Sequence, residues 1–195
     1  MKLAVILSST RDARFGIKIV PWVLRTAKTF EAFDEVELID VKDFELPLYN
    51  EAAGPKFLGG NYANAPKAKE FAAKIGEADA FILVHTEYNH GVPGDVSNAL
   101  AYVYEEWNKK PIGFVGYGGA LGAGRATEQL RTIAAELELV DIQTATNLVF
   151  APFGAWGEDG PLNEKPTENL VAELNQLAWY AKALKVGREA APAVA

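Results

Sequence analysis

Leu3-Ala4-Val5-Ile6-Leu7 runs directly into Ser8-Ser9-Thr10-Arg11-Asp12-Ala13-Arg14-Phe15-Gly16, and the reading of the fold starts at that junction. A short apolar run without polar alternation is what a strand buried on both faces requires. Helical spacing follows over 17–30, so the hydroxyls and cations stand where a helix begins. Pro21 fits that helix if it falls in the first turn, where backbone N–H groups lack intrahelical partners anyway. A strand, a polar loop and a helix start together make an anion site, because free N–H groups and the helix dipole favour negative charge and arginine adds charge-assisted hydrogen bonds. A Ser/Thr-rich cap with solvated arginines would look the same in isolation, so the rest of the chain must decide.

The pattern recurs. Apolar runs at 36–41, 80–85, 112–117 and 142–150 read as further strands, the last interrupted near 144–147. Between them Ala68, Phe71, Ala72 and Ile75 share one helical face, as do Val96, Ala99, Leu100 and Val103, and Leu130, Ile133, Ala134 and Leu137. A fifth helix is predicted over 168–184. Such alternation gives an α/β domain: a flavodoxin-like three-layer sandwich with a five-stranded parallel sheet, order 2-1-3-4-5, and helices on both faces. The order itself is not readable from pattern, and a Rossmann-like order stays open at this point. Segment 44–66, rich in Pro, Gly and Asn, is expected as a long loop over the sheet's carboxyl edge, with 151–166 similar. One domain is expected over 1–186, and 187–195 as a loose tail.

Composition narrows the function. A chain of 195 residues, 49% apolar and 23% charged, is ordinary for a globular domain with a real core. There is no cysteine, which excludes disulfides and thiol catalysis and suits a reducing cytoplasm. The first apolar run is too short for a signal peptide or a membrane span, so a cytoplasmic protein without membrane contact is expected. The net charge of −7 opposes nucleic acid as a partner.

Two more loops fall at the same sheet edge. Thr86-Glu87-Tyr88-Asn89-His90-Gly91-Val92-Pro93-Gly94 offers an aromatic face, and its backbone can approach a flat heterocycle. Gly116 to Arg125 carries five glycines, which let a backbone lie against a ligand. Neither GxGxxG nor GxxxxGK[ST] occurs after the first strand, so a dinucleotide fingerprint and a nucleoside-triphosphate loop are unsupported there.

With these residues in view the chain resembles the NADPH-dependent FMN reductase family, which includes quinone, azo-dye and chromate reductases. The family's Gly/Ser-Ser-x-Arg matches Ser8 to Arg11, its Pro-Glu-Tyr-Asn-x-x-x-Pro-Gly matches at Glu87 to Gly94, and its Gly-Gly, Gly-x-Gly-Arg-Ala and Gln-Leu match within Gly118 to Leu130. The resemblance implies that Ser9, Arg11, Arg14, Phe15 and Gly16 hold the phosphate and nearby ribityl chain of FMN. It implies that Glu87, Tyr88, Asn89, His90 and Gly91 line the isoalloxazine edge, with Gly118 and Gly119 on its other side. Thr86 stands where the family has Pro, and Ser97 where Lys is common; neither departure removes a phosphate donor.

The implied activity is an FMN-dependent NAD(P)H oxidoreductase: hydride passes from NAD(P)H to flavin N5, then to a small-molecule acceptor such as free flavin, a quinone, an azo compound or a metal ion. The flavin does the redox chemistry, so no catalytic side chain is required. A flavodoxin-type electron carrier is the alternative. Arg14, Lys18 and Arg125 are candidates for a nucleotide 2′-phosphate. His85 reads as a satisfied polar residue ending a strand, Glu87 as an orienting acceptor for loop N–H groups, and no metal-ligand spacing accompanies either histidine. Tyr102, Tyr104 and Trp107 cannot all face the sheet from one helix, so an outward aromatic surface is expected, and the family implies a homodimer or homotetramer.

Overall fold

The computed structural model describes residues 1–58 and 60–190. Six parallel strands form one sheet: β1 (Lys2–Leu7), β2 (Glu35–Asp40), β3 (Ala80–His85), β4 (Pro111–Gly118), β5 (Val140–Asp141) and β6 (Thr146–Val149). The order is β2-β1-β3-β4-β5, with β6 also pairing β4. Five helices cover it: α1 (Gly16–Ala27), α2 (Ala68–Glu77), α3 (Gly94–Ala101), α4 (Gly124–Glu136) and α5 (Lys165–Ala190). Alternation along β1 divides the core, as successive side chains of a strand must point to opposite faces. Ala4 and Ile6 pack with α2, α3 and α4, whereas Leu3, Val5 and Leu7 pack with α1 and α5. The flavodoxin-like fold expected from the pattern is the fold observed.

Where β1 and β3 lie side by side, the chain leaves β1 towards α1 on one face and β3 towards α3 on the other. The loops that follow them must diverge, which opens a crevice at their carboxyl ends.

Four details differ from expectation. The interruption expected in the fifth strand is present but falls at 142–145, two residues earlier than expected, and leaves two short strands. Ile142 N–H still bonds Ile112 O, but the carbonyls of Ile142 and Gln143 accept from Arg131 and Thr144 N–H donates to Gln176 Oε1, so beyond Ile142 N–H side chains take over from the ladder. Pro21 lies past the first turn of α1; both it and Ile17, whose carbonyl loses its helical donor, face solvent and water can serve instead.

Of the three aromatics expected to give an outward surface, Tyr104 stays half-buried, with Lys56 Nζ 5.2 Å from its ring centroid, and the other two turn in. Because α3 ends at Ala101, the helical projection stops applying, and Tyr102 and Trp107 turn inward to full burial. Tyr102 donates its hydroxyl to Pro47 O and packs edge-on to Tyr49, while Trp107 packs on Phe81 at 4.9 Å between ring centroids. Finally, α5 continues through Gly187 to Ala190, where Arg188 bonds Lys109 O and Asp79; the remainder of the expected tail, 191–195, lies outside the described residues.

Candidate functional site

A cleft of about 360 Å³ lies at the carboxyl edge of the sheet, at the β1/β3 switch point. Its floor and walls come from the loops after β1, β3 and β4, which contribute Ser9, Arg11, Arg14, Phe15, Glu87, Tyr88, Gly118 and Gly119. Eight of the twelve residues named from the sequence therefore line one cavity.

The loop after β1 is fastened on three sides. Ser8 donates both N–H and Oγ to Val84 O, joining the loop to β3. Thr10 donates N–H and Oγ1 to Asp95 Oδ2 in the first turn of α3. Arg14 donates to Ser9 O and pairs with Asp40 at the end of β2, which also accepts from Lys42 N–H. Burial raises the Asp40 carboxyl above its ordinary value, against the pull of Lys42 N–H and Arg14. Arg14 thus spends its guanidinium on the loop's shape.

Two groups of this loop are uncommitted in a different sense. Ser9 is 1% exposed, and among the described residues its Oγ meets no partner at hydrogen-bonding geometry, the neighbouring Tyr117 phenol being near but not aligned to satisfy it. A buried hydroxyl left unpaired costs about 1–3 kcal/mol, so its place calls for an acceptor or donor from outside the chain. Arg11 extends into solvent, and among the described residues its guanidinium makes one hydrogen bond, to the Tyr88 phenol at 3.3 Å from Nη1, with its guanidinium carbon 5.8 Å from the ring centroid. Gly16 lies behind the loop at the start of α1, where a Cβ would strike Leu7 Cδ1 at 2.5 Å, so its part is to let helix and strand approach.

Across the cleft, Tyr88 to Gly91 form a tight hairpin. Tyr88 N–H bonds Gly91 O at 3.1 Å and Gly91 N–H bonds Tyr88 O at 3.0 Å. Asn89 and His90 between them have φ of 51° and 64°, the type I′ geometry, and both side chains are exposed. These two and Gly91 border the cleft without lining it.

Glu87 turns away from its own loop. Its carboxylate accepts from Arg125 N–H at 3.0 Å, Ala126 N–H at 3.2 Å and the Arg125 guanidinium at 2.6 Å. It thereby caps α4, whose own N-cap residue, Ala123, has no side-chain acceptor. Burial pushes the Glu87 carboxyl up, but Arg125 and the helix N–H groups outweigh it and leave it below its ordinary value. Of the three cations considered for a 2′-phosphate, Arg14 and Arg125 are in ion pairs, and Lys18 sits 5.6 Å from the Phe15 ring centroid.

His85 is a satisfied core residue. It is fully buried, with Nδ1 3.2 Å from Thr86 O and Nε2 3.2 Å from Thr127 Oγ1. Donation from Nδ1 to the carbonyl makes Nε2 the acceptor, and burial holds the imidazole down to about 4, so it is neutral at pH 7.

Five lining residues were not among the site residues named from the sequence: Ala13, Thr86, Tyr117, Pro152 and Phe153. Tyr117, the next-to-last residue of β4, is buried beside Gly16, and burial pushes its phenol up to about 12. Pro152 and Phe153 come from the segment after β6, where Phe150 N–H bonds Gly119 O and draws the chain over the cleft. The signal available was positional: a loop following a parallel strand must emerge at the same edge.

The cleft fits FMN on its own chemistry: a buried serine hydroxyl and an exposed arginine beside a helix start for the phosphate, and a wall of glycine backbone at Gly118 and Gly119 for the ring. At Gly119 nothing lies within 4 Å of the position a Cβ would take, so the wall is bare backbone. Comparison with known proteins agrees. An NAD(P)H-dependent FMN reductase from a Nectria species is 33% identical over 181 residues, covering 91% of this chain and 87% of that protein. A quinone reductase from Pseudomonas putida is 28% identical over 188 residues, covering 92% and 94%. Among solved structures, FerB from Paracoccus denitrificans, a flavoenzyme NAD(P)H:(acceptor) oxidoreductase, shares the fold with a TM-score of 0.72 at 21% identity, covering 93% and 97%. The family model for NADPH-dependent FMN reductases matches residues 1–151, from β1 through the last strand of the sheet, and to that family the chain belongs.

Proposed function

We propose that this chain works as an FMN-dependent NAD(P)H oxidoreductase that delivers electrons to a loosely specified acceptor. The observation that carries the reading is Ser9 Oγ, buried without a partner on an anion loop at the β1/β3 switch point. Ser9, Arg11 and the N–H groups leading into α1 hold the phosphate. Arg14 and Gly16 keep that loop in shape, Phe15 borders it, and Tyr88, Gly118 and Gly119 flank the ring.

FMN, when bound, would supply the redox chemistry, taking a hydride equivalent from NAD(P)H and passing the two electrons on, with protons where the acceptor takes them, to free flavin, a quinone or an azo compound, or singly to a metal ion. The chain's own part is placement and electrostatics. Asn89 and His90 present backbone N–H groups at the ring edge, where fixed donors stabilise negative charge that develops on reduction. Glu87, engaged by Arg125 and the start of α4, orients these loops and does not transfer protons. Acceptor choice is loose because nothing in this scheme requires a specific contact to the acceptor.

A homodimer or homotetramer completes the reading. Leu121, Phe150 and Phe153 are 47%, 49% and 72% exposed near the cleft, an apolar surface that a second copy would cover. The cysteine-free sequence suits the cytoplasm, and among the described residues no helix is long and apolar enough to cross a membrane.

The test is the visible spectrum of the purified protein with added FMN, followed by anaerobic NADPH and then NADH. Bound flavin that bleaches with a nucleotide is the expected result and identifies the donor. Bound flavin that bleaches only with a chemical reductant makes the protein an electron carrier, and no bound flavin removes the assignment.

A further inference from the structure

The hairpin at the ring edge is an unfavourable one for its sequence. Two consecutive left-handed residues suit Asn followed by Gly; here the second is His90, whose Cβ disfavours that conformation by about 1–2 kcal/mol. Something must hold it. Gln129, in the second turn of α4, reaches the hairpin with both ends of its amide: Nε2 donates to His90 O at 3.2 Å, and Oε1 accepts from Val92 N–H at 3.1 Å. The missing side chain of Gly91 makes room for this, since a Cβ there would lie 3.3 Å from Gln129 Oε1. Glu87, one residue before the hairpin, is bonded to the start of the same helix. One helix therefore grips the hairpin on both sides.

We infer that Gln129 is a positioning residue for the cofactor: its amide holds the Tyr88–Gly91 hairpin in the left-handed form that sets the direction of the Asn89 and His90 N–H groups. The inference rests on the FMN reading of the cleft. Without the amide, His90 relaxes towards negative φ, the paired Tyr88 and Gly91 bonds open, and the two donors leave the ring edge. Gln129 itself touches neither ring nor substrate in this account.

The logic gives a rescue experiment. Gln129→Leu keeps an aliphatic side chain, one atom shorter, and removes both hydrogen bonds; His90→Gly installs the Asn-Gly pair that adopts the same turn unaided. FMN dissociation constants would be measured for the wild type, both single variants and the double variant, with circular dichroism melts as the folding control. Exchange of the Gly91 amide hydrogen in cofactor-free protein would be followed by NMR. Gln129→Leu is expected to weaken FMN about tenfold and to speed Gly91 exchange at least as much. His90→Gly in the Gln129→Leu background should restore both to within about threefold of the His90→Gly protein. If Gln129→Leu binds FMN as the wild type does, or if exchange is restored and affinity is not, the inference is wrong. Loss of folding in Gln129→Leu that His90→Gly leaves uncorrected also overturns it, because the residue would then be structural. A wild type that binds no FMN would instead sink the reading of the cleft, while the exchange measurement still reports on the hairpin.

Discussion

Thr10 and Asp95 are joined twice: the backbone N–H of Thr10, at 2.9 Å, and its Oγ1, at 3.2 Å, both donate to Asp95 Oδ2. Residues 85 apart in sequence thus bind the loop after β1 to the helix after β3, across the switch point. Asp95→Ala should loosen the loop and weaken FMN about tenfold, since a hydrogen bond to a charged group contributes about 1.5–3 kcal/mol. Asp95→Asn, which keeps an acceptor, should lose much less. Fluorescence titration with FMN decides; tighter binding by Asp95→Ala would mean that repulsion between the carboxylate and the phosphate outweighs the fastening.

Ser9→Ala separates binding from folding. Removing a buried hydroxyl that has no partner should leave the cofactor-free melting temperature unchanged or slightly higher, while FMN affinity falls about tenfold. A large drop in melting temperature would show that Ser9 Oγ is satisfied within the protein.

The glycines after β4 should divide into two kinds. Gly122 has φ of 53°, and a Cβ would lie 2.8 Å from Leu148 N, so Gly122→Ala should destabilise the fold by more than about 2 kcal/mol in urea titration. Gly119, with nothing within 4 Å, should accept Ala with a change of less than about 0.5 kcal/mol, yet FMN binding should suffer because the new methyl enters the cleft. Equal melting curves for the two variants would contradict the division.

Glu173, on α5, is fully buried against the sheet. Its Oε2 accepts from Thr146 Oγ1 at 2.6 Å, and burial pushes the carboxyl up to about 8. The folded state therefore holds a proton that the unfolded chain releases near 4.5. The stability this protonation supports is complete below that value, declines as pH rises, and is gone above about 8. Glu173→Gln, neutral at every pH, should exceed the wild type at pH 9 by a few kcal/mol and lose the advantage near pH 4. Urea unfolding at the two pH values measures this; a variant no better at pH 9 would show that the charged form is accommodated.

Much of the fold was legible because its signals are local. Burial on both faces of the sheet demands unbroken apolar strands, and Leu3 to Leu7 and Ala80 to His85 declare themselves accordingly. Helical faces such as Ala68, Phe71, Ala72 and Ile75 appear as expected. Less legible were places where the chain leaves a regular period. Tyr102 and Trp107 look outward-facing only if α3 continues, and the break before β6 depends on Arg131 and Gln176 arriving from two different helices.

The sequence by itself determined the alternation of strand and helix, the polar loop after β1 that carries Ser9 and Arg11, and the family motifs, because each lies within a few consecutive residues. Only the tertiary structure decided how the polar groups are allotted. Arg14 and Glu87 carry the right chemistry for a ligand, but Asp40 and Arg125 engage them first, whereas Ser9, equally ordinary in the sequence, is left buried and unpaired. Which charges are free and which hydroxyl lacks a partner depends on groups tens of residues away, and folding alone brings those groups within hydrogen-bonding distance.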